Sequence, residues 1–428
     1  MSPRAGSAGS SHGSRTLAFV ESPVQLLNVL EWAHVHALEA DREVCGTGLV
    51  PAQTRRTVHP APPPAAAGAG AQSGAGDLAR AGAEPGAGNP AGPGAGTLAV
   101  GGLRAAGGGT GLTLVVLAPT DPMTRGQLRR MAELARDEGH KVRWEEARGG
   151  PAAPFQTIGG LTSLLRRADR VVMGDPFSRY VQLLLTITRA GDLVVVDDGT
   201  ATMEFVAQLA RGERLVRWHR KGGRRGPRDL LFAPVSASAR RRLTPRAGRR
   251  VQVFSSMPIE ETPDGVTVTA NDFAWTRSRF GPPRITGGAD MVGTSLVETG
   301  VVDGERYLDA VRSLAGAHGV KRYFAHRRES AEKLHRLAGE TGLQIVRPDL
   351  PLELIARRGP IGRTILSFPS TVVHTLPLAL VGTEVKVAVC DIDPTWLTEH
   401  ASPRAQGFLS GVTGTARDVH RLAAVSAV

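Results

Sequence analysis

The sequence contains few residues of the kinds that cross-link chains or bind metals, and it lacks a membrane-spanning run. Of its 428 residues only Cys45 and Cys390 are cysteines, so neither a disulfide framework nor a cysteine-ligated metal site is expected. The longest apolar stretch, around 371–380, is interrupted by a histidine and a proline and is too short to cross a bilayer. The first apolar run, 17–20, is too short for a signal peptide. These absences favour a soluble, cytoplasmic protein.

One long segment also lacks the residues that build a core. Residues 51–109 are almost entirely Ala, Gly and Pro with scattered charges, a composition that cannot bury enough apolar surface to order itself. Its glycine strings have no strand before them and no helix after them, as a phosphate-binding loop would. We therefore predict a disordered insertion at 51–109 and a disordered tail at 1–14.

The positive charge of the chain is concentrated in one segment. The net charge is +12, and the segment 217–250 holds a single acid, Asp229. Its basic residues are Arg217, Arg220, Lys221, Arg224, Arg225, Arg228, Arg240, Arg241, Arg242, Arg246, Arg249 and Arg250. Such a segment can attract acidic lipid headgroups or a polyanionic glycan, or it can be a solvated loop between domains. The segment does not favour base-stacking recognition of nucleic acid, because Trp218 and Phe232 are its only aromatic residues.

The rest of the chain alternates apolar strands with amphipathic helices, which indicates doubly wound parallel sheets. The strands predicted before residue 217 are 16–20, 112–117, 141–144, 170–173 and 193–196, and the helices between and after them are 23–36, 125–138, 160–167, one from Ser178, and 202–209. The alternation restarts with strands 251–254, 290–293, 321–325, 343–346 and 385–390 and helices 304–317, 329–340 and 370–380.

This pattern predicts an α/β protein with two Rossmann-like domains facing each other across a cleft. The N-terminal domain is expected at 15–216, with the insertion inside it, and the C-terminal domain at 251–428. The basic segment 217–250 is interpreted as a connection between the domains. The pair Ser255 and Ser256 follows a strand and is interpreted as part of the linker.

Two adjacent acids end a strand of the first half. Asp197, Asp198 and Gly199 directly follow the apolar run 193–196, and ligands of open α/β sheets bind at the carboxyl ends of strands. One carboxylate can then act as a general base on a substrate hydroxyl, while the glycine permits a tight turn. The alternative is a plain strand-to-helix turn with an aspartate as helix N-cap.

Polar residues also follow the predicted strands of the second half. They are Gly293, Thr294 and Ser295; His326 with Arg327 and Arg328; Glu353; and Ser370 with Thr371. Ser370 and Thr371 open a helix, where hydroxyls and N–H groups either hold a phosphate or only cap the helix. His326 can donate a hydrogen bond or a proton to a phosphate, and Glu353 can accept hydrogen bonds from a ribose.

The order of these residues resembles that of the bacterial sialyltransferases. An Asp-Asp-Gly triplet, a histidine after a strand of the second domain, a Pro-x-Glu some 25 residues later and a Ser-Thr pair opening a helix are similar to the capsular polysialyltransferases and the lipooligosaccharide sialyltransferases of glycosyltransferase family 52. The strand-turn 21–26 and the opening of the second half, 292–294, resemble the same family. The resemblance covers most of the chain outside 51–109 and 217–250.

The resemblance implies a GT-B fold and a metal-independent, inverting transfer of sialic acid from CMP-sialic acid to a glycan hydroxyl, with no cofactor beyond the donor. Asp197 would deprotonate the acceptor with Asp198 in support. His326 would stabilise or protonate the departing CMP phosphate, helped by Ser370 and Thr371, and Glu353 would bind the CMP ribose or cytosine. Gly293 and Thr294 would line the nucleotide site. Where the family has His-Pro this chain has His326-Arg327, and Arg327 can itself grip a phosphate.

A possible metal motif and two other functions stay open from the sequence. Asp391 and Asp393 form a DxD pattern, which can hold a divalent cation, although Asp393 before Pro394 is more typical of a helix N-cap. The alternatives in function are a GT-B transferase with another nucleotide-sugar donor, and a non-catalytic glycan- or nucleic-acid-binding protein that kept the fold. The expected location is the cytoplasm, with the basic segment holding the protein at the inner membrane face.

Overall fold

The N-terminal domain is one parallel sheet with helices on both faces. In the computed structural model the described residues are 15–45, 111–150, 152–217, 227–401 and 403–424. The strands of this domain are β1 Thr16–Val20, β2 Leu112–Leu117, β3 Lys141–Glu145, β4 Arg170–Met173, β5 Asp192–Val196, β6 Arg250–Ser255 and β7 Val266–Ala270. Its helices are α1 Pro23–Cys45, α2 Pro122–Asp137, α3 Ala153–Arg167, α4 Arg179–Ile187, α5 Thr200–Ala210, α6 Pro227–Arg242 and α7 Ala274–Arg279.

The C-terminal domain repeats this arrangement with a smaller sheet. Its strands are β8 Ile285–Val292, β9 Val320–Phe324, β10 Gln344–Val346, β11 Ile361–Ser367, β12 Lys386–Cys390 and β13 His420–Leu422. Its helices are α8 Gly304–His318, α9 Ala331–Thr341, α10 Leu352–Arg358, α11 Val372–Ala379 and α12 Pro403–Thr415. The two doubly wound sheets confirm the α/β class and the two-domain GT-B architecture expected from the sequence.

The strand order in each sheet defines where a ligand can bind. The first sheet runs β3-β2-β1-β4-β5-β6-β7 and the second β10-β9-β8-β11-β12-β13. The chain reverses its direction of winding between β1 and β4 in the first sheet and between β8 and β11 in the second. A crevice opens at the carboxyl ends of the strands at such a point, and ligands of doubly wound folds bind there.

Central strands such as β1 and β5 are almost entirely apolar because both faces of the sheet are covered. In β5, Leu193 and Val195 pack into the core on one face, whereas Val194 and Val196 pack into the core on the other. The second of these cores also contains Leu354, which belongs to the C-terminal domain. Alternation of side chains across a strand explains why a run of four apolar residues was a reliable strand signal here.

The sequence suggested that the basic segment 217–250 connects the two domains. Its described part belongs to the N-terminal domain instead. Helix α6 packs against α4 of the N-terminal domain, and its Ala239 is fully buried in that domain's core. Strand β6, which we had assigned to the second sheet, pairs in parallel with β5. The N-terminal domain therefore continues through β6 and β7, and the C-terminal sheet begins with β8. Because the segment 217–250 is so basic, its sequence did not indicate that it leads into β6 of the first sheet.

Several predictions fall on residues that the structure does not describe. The tail at 1–14 and the insertion at 51–109 lie outside the described residues, and so do residues 218–226 of the basic segment. Within the described ranges, no helix is both long and apolar enough to cross a membrane.

Candidate functional site

The carboxyl edges of the two sheets meet across a cleft, and the turn after β5 is in contact with the turn after β11. A Cβ atom placed on Gly199 would lie 2.9 Å from Thr371 Cγ2 of the opposite domain. On one side of this contact, Gln127 of α2 donates a 2.6 Å hydrogen bond to the Pro348 carbonyl. The Asp-Asp-Gly and Ser-Thr motifs, 171 positions apart in sequence, are therefore brought together by the fold.

Asp197 is buried, and hydrogen bonds occupy both of its carboxylate oxygens. It is only 2% exposed, and its Oδ2 accepts hydrogen bonds from Ser256 N at 3.0 Å and Ser256 Oγ at 2.7 Å. Its Oδ1 accepts from Gly199 N at 3.0 Å. Burial raises the pKa of Asp197, and the Ser256 donors oppose that effect. These hydrogen bonds are typical of a side chain that shapes the turn. A base in contact with substrate needs a more accessible position.

Ser256 therefore has a structural task that the sequence did not reveal. Because β6 belongs to the first sheet, Ser256 follows the strand beside β5 and stands at the same edge as Asp197. Our interpretation of Ser255 and Ser256 as a linker feature is wrong for this reason. The signal was available in the sequence, since both serines directly follow an apolar strand, but the strand had been placed in the other sheet.

Asp198 points toward the cleft instead. Its side chain is 16% exposed, and its Oδ2 lies 3.1 Å from an Arg217 guanidinium nitrogen. The same nitrogen lies 2.8 Å from Asp175 Oδ2, so Arg217 bridges two carboxylates. Burial and the nearby Asp175 charge raise the pKa of Asp198 to about 7, while Arg217 and Arg327 counteract the rise. A carboxyl group with this pKa is half ionised near neutral pH, as a general base should be.

Further polar residues at this edge follow β1, β3 and β4, and the reversal point of the first sheet lies between β1 and β4. Glu21 Oε1 accepts hydrogen bonds from Arg148 at 2.6 Å and from Ser178 Oγ at 2.9 Å. Burial raises the pKa of Glu21, and the Asp175 charge adds to the rise. Glu21, Arg148 and Asp175 were not among the predicted site residues, although Glu21 directly follows β1 in the turn 21–26 and Asp175 lies two residues after β4.

His326 follows β9 and is held in a defined tautomer. Its Nδ1 accepts a hydrogen bond from Arg328 N at 3.2 Å, so the ring proton of the neutral form is on Nε2. Burial, followed by the charges of Arg327, Arg328 and Lys333, lowers the pKa of His326 to about 4. At neutral pH the imidazole is therefore uncharged, and it can donate a hydrogen bond from Nε2.

Arg327 reaches toward the N-terminal domain. It is exposed to solvent. Desolvation of the guanidinium group between the walls of the cleft lowers the pKa of Arg327, and the Arg217 charge lowers it as well. The charges of Asp198 and Asp121 raise it. All three of those residues belong to the N-terminal domain. Arg327 thus adds positive charge to the space between the two domains, close to Asp198.

The predicted donor-binding residues of the second sheet surround its reversal point. Gly293 and Thr294 directly follow β8, and Ser370 and Thr371 follow β11. Thr371 is the N-cap of α11 but makes no side-chain capping bond, and Ser370 Oγ has a weak contact with Ser367 Oγ at 3.3 Å. The hydroxyl of Thr371 is therefore not consumed by helix capping. Hydroxyl groups beside the first N–H groups of a helix form a favourable environment for a phosphate.

Glu353 is located deeper than the sequence suggested. It lies in the first turn of α10, is 6% exposed, and accepts a 2.6 Å hydrogen bond from Thr375 Oγ1 of α11. Burial raises its pKa, and the Asp197 charge contributes to the rise. Glu353 is therefore at the base of the cleft, close to the Asp-Asp-Gly turn.

The DxD pattern is explained by helix capping. Asp393 Oδ1 accepts a 2.8 Å hydrogen bond from Thr395 N, and Pro394 begins the short 3₁₀ helix Pro394–Trp396. This confirms the N-cap interpretation of Asp393. Among the described residues, no three His, Cys, Asp or Glu side chains converge as a metal site would.

No protein-family model matches the chain, and no curated protein matches it in sequence. Among solved structures, it is similar to an α/β-galactoside α-2,3-sialyltransferase from Photobacterium phosphoreum, with 10% identity and a TM-score of 0.38 over 72% of this chain and 91% of that one. The GT-B domain of a sialyltransferase from Photobacterium damselae shows 9% identity and a TM-score of 0.38, over 95% and 99% of the two chains. A heptosyltransferase from E. coli shows 12% identity and a TM-score of 0.35, over 89% and 90%. At these values the similarity identifies no residue role.

Proposed function

We propose that this protein is a glycosyltransferase that moves a sialic acid or a related ulosonic acid from a CMP-activated donor to a glycan hydroxyl. The observation that carries the proposal is the division of chemistry across the cleft. A half-ionised carboxyl group, Asp198, is on one side. A neutral histidine, His326, and the helix opening at Ser370 and Thr371 are on the other.

Asp198 acts as the base in this proposal, in place of Asp197. The acceptor hydroxyl gives its proton to the Asp198 carboxylate while its oxygen forms a bond to the anomeric carbon of the donor. The bond from that carbon to the phosphate oxygen breaks, and CMP leaves with the electron pair. Attack from the side opposite the phosphate inverts the anomeric centre. Asp197 supports the reaction by fixing the turn through Gly199 and Ser256.

The C-terminal domain stabilises the negative charge on the departing phosphate. His326 donates a hydrogen bond from Nε2, Arg327 supplies a positive charge, and Ser370 and Thr371 offer hydroxyls beside the first N–H groups of α11. Preorganised donors of this kind stabilise the transition state more than the ground state. A phosphate monoester has a second pKa of about 6, so CMP can leave at neutral pH without accepting a proton. His326 therefore acts as a hydrogen-bond donor.

Gly293 and Thr294 belong to the same donor site, and Glu353 is assigned to the ribose or cytosine of CMP. Thr294 Oγ1 is the one buried side-chain polar atom without a hydrogen-bond partner among the residues that the structure describes. A buried hydroxyl of this kind costs about 1–3 kcal/mol while it is unpaired, so a ligand that reaches it gains affinity.

The basic surface at the end of α6 is proposed to hold the enzyme near an acidic partner at the inner membrane face, either lipid headgroups or a growing polyanionic glycan. Arg241 and Arg246 are exposed there, whereas Arg249 is buried and donates to the Arg241 carbonyl at 2.8 Å. Two exposed cations beside a buried third give a positive surface whose attraction to polyanions would weaken with salt.

The experiment that tests the function is CMP release from CMP-sialic acid in the presence of EDTA and a panel of glycan acceptors. The proposal expects acceptor-dependent release by the wild type and its loss in Asp198→Asn. Release from UDP-sugars but not from CMP-sialic acid would favour the GT-B transferase with another donor. Binding of glycan or nucleic acid that is unaffected by Asp198→Asn, without release from any nucleotide-sugar, would favour the non-catalytic alternative.

A further inference from the structure

A buried polar network lies directly beneath the two loops that follow β8 and β9. The Tyr307 and Tyr323 hydroxyls are 2.8 Å apart, and Tyr323 Oη donates a 2.7 Å hydrogen bond to Glu329 Oε1. Lys333 Nζ lies 2.8 Å from the same carboxylate oxygen. Both tyrosines are fully buried, and Glu329 is 4% exposed. Burial raises the pKa of Glu329, whereas the Lys333 charge lowers it.

The network holds the turn that carries His326. Glu329 Oε2 accepts a 2.6 Å hydrogen bond from the His326 backbone N–H. Within the same turn, Arg328 N donates to His326 Nδ1. One carboxylate therefore fixes the backbone of His326 through one oxygen and contacts Tyr323 and Lys333 through the other. The imidazole tautomer depends on the geometry of this turn.

The same network holds the turn after β8. Lys333 Nζ donates to the Thr294 carbonyl at 3.3 Å, and the Thr294 N–H points to Tyr307 Oη at 3.3 Å. A Cβ atom on Gly293 would overlap Glu329 Oε2 and Tyr323 Oη. The glycine at this position is thus required by the buried carboxylate beneath it. The loops after two neighbouring strands consequently share one set of polar anchors.

We propose that Glu329 is a positioning residue for donor recognition, which joins the His326 turn and the Gly293–Thr294 turn into one preformed unit. The unit presents His326 Nε2–H to the phosphate of a bound nucleotide. This proposal rests on the proposed function, since it assumes that His326 meets the donor phosphate. A misplacement of about 1 Å in such a group can reduce the rate by about 100-fold, so a rigid support has a measurable effect.

Glu329→Gln tests the proposal with little change in shape. The amide replaces one oxygen by a donor, which then faces either the His326 N–H or the Tyr323 and Lys333 donors. We expect kcat/KM for the CMP-sugar to fall by about 10- to 100-fold, with a weaker affinity for CMP in calorimetry. Glu305→Gln is the matched control. This variant should keep wild-type activity, because Glu305 pairs with Arg336 on the surface.

Two readouts separate positioning from a general loss of structure. In ¹⁵N NMR spectra the ring of His326, assigned with His326→Asn, should show the Nε2–H tautomer in the wild type and averaged nitrogen shifts in Glu329→Gln. In a double-mutant cycle, Glu329→Gln should reduce kcat/KM by a clearly smaller factor once His326 is alanine, because the part of its effect that acts through that side chain is then absent and only the part that acts through the Gly293–Thr294 turn stays.

The outcomes that overturn the proposal are equally specific. Equal losses with and without His326, or an unchanged tautomer signal in Glu329→Gln, would show that Glu329 does not position His326. If Glu329→Gln fails to fold, Tyr323→Phe removes one donor of the network and keeps the bond to His326 N; it should give a smaller loss in the same direction. If the wild type neither transfers nor binds CMP, the proposed function fails, while the tautomer measurement still decides whether Glu329 orients His326.

Discussion

The two adjacent aspartates should respond in opposite ways to the same substitution. Asp198→Asn removes the carboxylate that faces the cleft and leaves the turn intact, because the hydrogen bonds that hold the turn go to Asp197. Loss of a general base typically reduces the rate by about 10²- to 10⁴-fold. Asp197→Asn instead replaces an acceptor of Ser256 or Gly199, leaving a buried donor unpaired at a cost of about 1–3 kcal/mol.

The raised pKa of Asp198 also fixes the shape of the pH profile. A base must be ionised to act, and with a pKa of about 7 its ionised fraction is roughly 10% at pH 6 and roughly 90% at pH 8. The value of kcat/KM should therefore rise about tenfold over that range. An aspartate with an ordinary pKa would be ionised throughout and would give a flat profile. His326, with a pKa of about 4, should add no falling limb between pH 6 and pH 8.

The assay is CMP release at fixed ionic strength from pH 6 to pH 8, with circular dichroism and thermal unfolding measured for each variant. Asp198→Asn should keep the melting temperature and lose transfer, whereas Asp197→Asn should melt earlier and keep transfer to within about tenfold. The reverse pattern in folded protein would refute the assignment of the base to Asp198. A flat pH profile with full activity would refute the argument from burial and the Asp175 charge.

Three further outcomes are expected. Gly199→Ala should lower the free energy of unfolding by about 1–3 kcal/mol, because φ is +66° and the new methyl would lie 2.9 Å from Thr371 Cγ2; urea unfolding measures this, and Thr371→Ser should restore only the part due to the methyl contact. Glu31 accepts hydrogen bonds from Trp275 N and Thr276 N, and burial raises its pKa from 4.5 to about 7. The folded state thus favours the protonated form of Glu31, whose contribution to stability is full below pH 4.5 and is lost as the pH rises through 7. The difference in unfolding free energy between wild type and Glu31→Gln should therefore shrink by about 3 kcal/mol over that interval. Parallel curves of unfolding free energy against pH would contradict this. Charge reversal of Arg241 and Arg246 should weaken salt-dependent binding to anionic vesicles or to polysialic acid in a sedimentation assay without changing CMP release, and unchanged binding would remove this surface as the point of contact.

The sequence determined the local elements and the order of the polar residues. Strands that are buried on both faces read as unbroken apolar runs, so β1, β2 and β4 were predicted with the bounds that the structure gives them. Strand β7, with alternating exposed residues, and β11, with Gly362 and Arg363 in its sequence, were missed. Placement of polar residues after strands marked His326 and the Asp-Asp-Gly turn, because strand ends in such folds are ligand sites.

Only the tertiary structure decided which side chain faces the cleft. Neighbouring residues at a strand end point in opposite directions, but the sequence did not show which of Asp197 and Asp198 faces the cleft. The pairing of β6 with β5, which brings Ser256 beside Asp197, decided this. Burial and the charge of Asp175, which follows β4, raise the pKa of Asp198. Strand order and the packing of two domains are set by contacts between residues far apart in the chain. Local pattern therefore identified the candidate residues, and long-range packing determined the environment of each.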